Sequence, residues 1–182
     1  MDLDNLINSC VKQNRHAQEA LYNLYSKTLF VLSLKYCSNE KEAEDNVHNA
    51  FIEIFTNIKK FDNKGSFEGW IKRITINKAI DSYKKTYKLE QLHDDYQDEV
   101  LVNDDDIKCS LDQLLKIIQE LPNQYRLVFN LFELDDYSHR QIATMLSISE
   151  STSKSNLHRA KQILKGKLLS KVDVHKTSKN GK

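Results

Sequence analysis

From Ala43 to Ile58 the residues Ala43, Val47, Ala50, Phe51, Ile54, Phe55 and Ile58 recur every three or four positions. That spacing lines them up on one face of an α-helix, and it is the cleanest stripe in the chain. Two further stripes precede it. Leu3, Leu6, Ile7, Cys10 and Val11 predict a first helix, and Ala17, Ala20, Leu21, Leu24, Thr28 and Val31 a second, ending near Tyr36. A fourth is expected from about Ser66 to Lys88, with Phe67, Trp70, Ile71 and Ile74 on one face. Ser66 can cap it, and Glu68 sits in its first turn, where the helix dipole favours an acid. The chain holds only four glycines and one proline, so few segments are broken. The expected fold class is all-α.

A length of 182 residues allows one medium domain or two small ones. The helical period fails at HDDYQDEVLVNDDD, residues 93–106, which carries seven acids. Solvation accounts for such a run, and mimicry or repulsion of nucleic-acid charge is the second reading. Beyond it, Leu111, Leu114, Leu115 and Ile118 start a new helix. Pro122 opens the next, with Leu127, Val128, Leu131 and Phe132 as its apolar positions. The expected organisation is two small helical domains joined by an acidic flexible linker. Their bounds are 1–92, linker 93–108, 109–172, and a disordered basic tail at 173–182.

Cys10, Cys37 and Cys109 are scattered, odd in number and form no CxxC pair, so reduced buried thiols are expected rather than a disulfide or metal site. The longest apolar run, near Leu29–Leu34, is far too short to span a bilayer, and the acidic start MDLDNL does not read as a secretory signal. A cytoplasmic location without membrane insertion is expected. The formal net charge of +1 conceals strong segregation. Residues 1–58 carry −3, residues 59–88 carry +6, residues 89–136 carry −10 and residues 137–182 carry +8. Two basic blocks flanking an acidic one point to a polyanionic partner.

The second basic block contains YSHRQIATMLSISESTSKSNLHRAKQILKGKLL. Ser138 followed by Gln141 has the spacing of a capping box for a short helix over 139–146. Ser147-Ile148-Ser149 reads as a tight turn, with Ser149 capping a helix that starts at Glu150. Ile142, Leu146, Leu157, Ala160, Leu164 and Leu168 form the apolar stripes, and Ala143 is small where the helices cross. The layout is a helix-turn-helix. Its second helix would place short polar tips, Thr152, Ser153, Ser155 and Asn156, against base edges and phosphates. Lys154, Arg159, Lys161 and Lys165 would supply phosphate attraction. An ordinary basic helix pair with a solvated face is the alternative.

LP-x3-R-x-VF at 121–129, followed by QIATMLSISESTSKSNLHRAKQIL, resembles the C-terminal promoter-reading domain of the sigma-70 family of transcription initiation factors, and more narrowly its extracytoplasmic-function (ECF) class. EAEDNVHNAFIEIF and FDNKGSFEGWIKRITINKAIDSYKK resemble that class's N-terminal domain. The likeness covers about residues 5 to 170, with motifs in the same order. It implies a dissociable specificity subunit of bacterial RNA polymerase core that reads a −35 duplex element and a melted −10 element of promoter DNA. It also implies a possible anti-sigma partner. Glu44, Asp45, His48, Asn49, Phe51 and Ile52 match the polymerase-docking surface. Asn63, Lys64, Gly65 and Ser66 of the loop match the −10 element reader, as do Lys72, Arg73, Asn77, Asp81, Lys84 and Lys85 of the helix. Arg140, Ser151, Thr152, Ser153, Lys154, Ser155, Asn156, His158 and Arg159 match the −35 reader. Ser151, Ser153 and Asn156 depart most from the family pattern and are where promoter preference is expected to be set.

The residues agree with those roles. A track for single-stranded DNA needs cations and aromatic or polar pockets, and the 59–88 block has Phe61, Phe67, Trp70, Tyr83 and Tyr87 among its lysines. Gly65 would permit close approach of a flipped base. Phe67 and Trp70 share the face of Ile71 and Ile74, which makes them core, so Arg73, Lys84 and Lys85 are the expected DNA contacts. Asn77 can bond a base edge or a neighbouring backbone group. Two other classes compete: a helix-turn-helix regulator with a sensory first half, and a metal enzyme. A sensory domain has no need of the basic 59–88 block. Glu44 or Asp45 with His48 has ligand spacing, but no third ligand or nucleophile accompanies it. No enzyme activity, no cofactor and no metal are expected. Acid next to the basic faces is expected to weaken duplex binding by the free chain.

Overall fold

The computed structural model describes residues 2–90 and 110–177, and among these every regular element is helical. The chain packs as two compact units, residues 1–83 and 84–182, the division falling inside the helix Phe67–Glu90, which is described with the first unit. The expected linker at 93–108 lies outside the described residues, as does Cys109.

In the first unit, α1 (Leu3–Val11) buries Leu6, Ile7 and Cys10. Gln13, at φ 61, turns the chain, and Asn14 caps α2 (Arg15–Tyr36) by accepting the Ala17 N–H at 3.0 Å. Asn39 caps α3 (Glu40–Asn57) through the Glu42 N–H, while the Glu42 carboxylate reaches back to the Ser38 N–H. Local hydrogen bonding thus specifies these two starts without calling on a tertiary contact. The stripe on α3 is as read, with Ala43, Val47, Ala50, Phe51 and Ile54 buried, and it continues into a 3-10 turn at Ile58–Lys60. Ser66 caps α4 (Phe67–Glu90) by accepting the Gly69 N–H at 3.0 Å. Phe67, Ile71, Thr75, Ile76, Ala79 and Ile80 face the core. Each large aliphatic there contributes about 1.5–3 kcal/mol of burial.

The second helix corrects an expectation. Ala17, Leu21, Leu29, Leu32 and Tyr36 are buried, whereas Ala20 and Thr28 are exposed, Leu24 is 57% exposed and Val31 46%. A helix of 22 residues carries two overlapping apolar stripes. Only one can face the partner helices, and the bulkier one does.

In the second unit, α5 (Leu111–Gln119) starts at a capping box between Ser110 and Gln113. Pro122 sits immediately before α6 (Asn123–Phe129), which runs into a π-helical turn at Asn130–Leu134. Then come α7 (His139–Leu146) and α8 (Glu150–Thr177). Ile117, Ile118 and Leu121 pack with Ala160 and Leu164 of α8, bordered by Leu114, Tyr125, Phe129, Ile163 and Leu168. Arg126, 3% exposed, stands inside this unit. Its guanidinium donates to the Gln119 and Leu121 carbonyls at 2.9 and 3.1 Å and to Asn123 Oδ1 at 2.6 Å. These bonds tie off the end of α5 and the LP corner. The helix α8 continues to Thr177, so residues 173–177 are helical rather than part of a disordered tail; no proline or glycine interrupts the segment after Gly166 until Gly181. Residues 178–182 lie outside the described residues.

Candidate nucleic-acid interface

The helix-turn-helix is built by local chemistry. Ser138 Oγ accepts the Gln141 N–H at 3.3 Å, and Gln141 Oε1 accepts the Ser138 N–H at 2.9 Å. Ser147 ends α7 in the left-handed region at φ 59, and the Ile148 N–H bonds back to the Ala143 carbonyl at 3.0 Å. Ser149 Oγ accepts the Thr152 N–H at 2.9 Å, so it caps α8 as expected. The Ser151 and Thr152 hydroxyls lie 2.8 and 2.7 Å from Ser149 Oγ, and Ser155 Oγ donates to the Ser151 and Thr152 carbonyls at 3.1 Å. Local partners therefore hold these short side chains against the helix, leaving its outer surface low.

Ser151, Lys154, Ser155, His158 and Arg159 are exposed on α8, as is Arg140 on α7, and Thr152 is half-buried. Arg159 Nη1 donates to the Tyr125 hydroxyl at 3.2 Å, which props the guanidinium over the surface. Ser153 and Asn156 are corrections. Ser153 is fully buried and Asn156 is 4% exposed, so neither can reach a base edge. They fall on the inward period of Leu157, Ala160 and Leu164, and their polarity misdirected the reading. Lys161, expected to attract phosphate, is paired with Glu133 at 2.8 Å.

Ser153 has a different task. Its hydroxyl lies 2.9 Å from His139 Nδ1, and the His139 ring stacks on Phe132 with centroids 4.4 Å apart. One imidazole thus joins α7, α8 and the π-helical turn. Burial, helped by the charge of Lys154 and opposed by Glu150, lowers its pKa from the usual 6.5. The sequence reading missed this clamp, because a lone histidine carries no signal of it.

On α4, Arg73, Asn77, Asp81 and Lys85 are exposed and Lys84 is half-buried. Their spacing puts them on one face. Lys72, half-buried, pairs with Glu68 one turn earlier. The preceding loop is exposed at Asn63, Lys64, Gly65 and Ser66. Lys64 Nζ pairs with Asp62 at 3.0 Å. The positive φ falls at Asn63 (58°), not at Gly65, and a Cβ at Gly65 would meet open space. Gly65 is therefore not required by crowding or backbone strain within the chain. Phe61, Phe67, Trp70 and Tyr25 form a ring cluster beneath the loop, with centroids 5.2–5.9 Å apart. Phe67 is core as expected, and Trp70 and Phe61 are half-buried. The side chain of Tyr87 lies outside the described residues.

On α3, Glu44, Asp45, His48, Asn49 and Ile52 form one exposed face, with Ile52 54% exposed. Phe51 is corrected: it is 3% exposed and packs on Tyr22 at 4.6 Å and Phe55 at 5.7 Å, on the core side of the helix. Asn46 was missed; it is a polar residue inside the apolar stripe, and the 3.6-residue period alone would have placed it there. Among the described residues no group of three or more His, Cys, Asp or Glu side chains could hold a metal ion. No helix among them is long and apolar enough to cross a membrane.

The polar, cation-edged outer face of the helix-turn-helix in the second unit, and the basic face of α4 described with the first, have the character of a DNA-binding protein. The family model for sigma-70 region 2 matches residues 21–88, and that for sigma-70 region 4 matches residues 111–164, together about two thirds of the chain. The ECF RNA polymerase sigma factor SigW of Bacillus subtilis (strain 168) is 29% identical, over 86% of this chain and 91% of that protein. The ECF RNA polymerase sigma factor SigE of Mycolicibacterium smegmatis is 27% identical, over 81% of this chain and 60% of its own length. In fold, the chain resembles the sigma factor RpoE solved with the anti-sigma factor NepR from Bartonella quintana, with a TM-score of 0.52 and 19% identity over 84% of this chain and 96% of that one. The chain belongs to the ECF class of the sigma-70 family. It is a sigma subunit that directs RNA polymerase to initiate transcription at promoters, and its partners are the polymerase core and promoter DNA.

Proposed function

We propose that the two units divide the work of promoter recognition. The exposed face of α3 (Glu44, Asp45, His48, Asn49, Ile52) docks on core polymerase. The loop Asn63–Ser66 and the α4 face of Arg73, Asn77, Asp81, Lys84 and Lys85 engage the melted −10 element, with Lys72 at its edge. Arg140, Ser151, Thr152, Lys154, Ser155, His158 and Arg159 read the −35 duplex. The observation that carries this reading is the low, hydroxyl-lined outer face of α8 edged by Lys154 and Arg159. It fits the close approach and mixed contacts of a major-groove helix. The protein acts without catalytic activity of its own, in the cytoplasm where polymerase is. The RpoE neighbour was solved with an anti-sigma factor, and a protein of that kind is the expected negative regulator here.

The test is reconstitution. Purified chain added to bacterial core polymerase is expected to yield transcripts with discrete starts on a library of promoter fragments. Failure to bind core, or transcripts identical to those of core alone, would refute the reading. Asp45→Lys is expected to weaken core binding, and Ser151→Arg to change promoter choice without changing core binding.

A further inference from the structure

Asn46 lies in the inward stripe of α3, between Ala43 and Ala50, and is 5% exposed. Its Nδ2 donates to Ser33 Oγ of α2 at 2.9 Å and to the Thr75 carbonyl of α4 at 3.2 Å. A carbonyl only accepts, so the amide NH2 must be the group that faces α4. Ser33 and Thr75 are themselves fully buried, and Thr75 Oγ1 is turned onto the Ile71 carbonyl at 2.9 Å. One side chain therefore ties α2, α3 and α4 together within an otherwise apolar core.

An apolar interface tolerates small slides and rotations, because its attraction has no direction. A buried amide does not, since any other register leaves a polar group without a partner in low dielectric. Among the described residues, Lys78 also reaches from α4 to Glu53 of α3 at 3.0 Å, a solvent-screened pair that specifies register weakly. Position along the chain gives the amide its reach. Asn46 adjoins Asp45 and stands two residues before His48; Thr75 stands midway between Arg73 and Asn77.

We infer that Asn46 is a positioning residue for promoter opening, setting the rotation and register of the −10 helix α4 against the polymerase-docking helix α3. This rests on the docking and −10 assignments proposed above. The amide transmits the placement of the docked helix to the DNA-facing one, so that polymerase and DNA are held in one frame.

The experiment uses the full chain with core polymerase and a duplex promoter fragment that the wild-type holoenzyme transcribes. Three quantities are read: thermal midpoint, core affinity, and the rate of opening by permanganate reactivity of the −10 thymines. Asn46→Leu keeps the branched shape, though it is bulkier, and removes both donors. It is expected to lower the midpoint, because Ser33 and Thr75 lose a buried partner, to leave core affinity unchanged, and to slow opening by about tenfold, less than the roughly hundredfold that a misplacement of reacting groups by about 1 Å can cost. Ser33→Ala removes only the α2 leg and is expected to open at the wild-type rate. Wild-type opening by Asn46→Leu overturns the inference. So does a slowing that vanishes when variant and wild type are compared at the same interval below their thermal midpoints, or one that merely follows a loss of core affinity. If the leucine variant does not fold, Asn46→Ser, which can donate one bond, is expected to open at an intermediate rate with core affinity retained; wild-type opening by that variant overturns the inference equally. Asp45→Lys and Arg73→Ala separate the two levels. If neither changes core affinity or opening, the assignment of the faces has failed. If both lose their functions while Asn46→Leu opens normally, only the positioning role has failed.

Discussion

Arg126 is a charged residue placed where charge is costly, and it is tolerated because its guanidinium bonds two carbonyls and a side-chain amide oxygen. Arg126→Met would leave those acceptors without it and is expected to destabilise the second unit by about 3 kcal/mol. The single tryptophan, Trp70, belongs to the first unit, so its fluorescence follows that unit alone. Urea unfolding of the variant should show an early loss of helical circular dichroism with the Trp70 transition unmoved. His139 gives a second residue-scale outcome. Its pKa is lower folded than the usual 6.5, so the unfolded chain takes up the proton first as pH falls. Its contribution to stability is complete above pH 6.5 and declines as pH drops from there toward the folded value. The thermal midpoint of wild type should therefore fall more between pH 7.5 and 5.5 than that of His139→Gln; equal slopes would show that the clamp does not titrate. Neither residue advertised its role in the sequence. Arg126 acts on groups that the corner between α5 and α6 folds back onto it, and His139 on a serine 14 residues away.

At the scale of the element, the starts of helices were legible where a side chain caps its own backbone. Ser66, Ser138 and Ser149 each bond an N–H three residues on, and that chemistry needs nothing distant. The turn between α7 and α8 leaves one cost visible. Ser147 holds a left-handed conformation that glycine adopts freely. Ser147→Gly is expected to raise stability by about 0.5–1 kcal/mol, after the entropy of a glycine in the unfolded chain is deducted. Differential scanning calorimetry would check the sign; a lower midpoint would mean that the serine side chain contributes contacts that outweigh its strain. The rotation of α2 was not legible. Its two apolar stripes read alike, and only the partner helices chose between them.

For the whole molecule, the balance of charge matters more than its sum. The net value of +1 would argue against nucleic acid, yet residues 59–88 carry +6 and residues 137–182 carry +8, with −10 between them. Free chain is therefore expected to bind duplex promoter DNA weakly, and holoenzyme strongly, in filter binding at one salt concentration. Equal affinity in both states would dismiss any opposing role for the acidic segment. Arg159→Ala in the holoenzyme should lower affinity and reduce the slope of log K against log salt by about 1. An unchanged slope would remove Arg159 from the phosphate contacts.

What the sequence determined by itself was the helical class, the capped starts, the helix-turn-helix and the segregation of charge. These follow from hydrogen bonds within a few residues, from a 3.6-residue period and from composition. The same period already puts Ser153, Asn156, Phe51 and Asn46 on inward faces, although their residue types or the family likeness pointed elsewhere. The tertiary structure decided which inward or half-buried polar groups meet partners, and it made Asn46, Arg126 and His139 ties between helices. The reason is physical: the partner of such a group stands on another element, and no local pattern says which groups packing brings within hydrogen-bond distance.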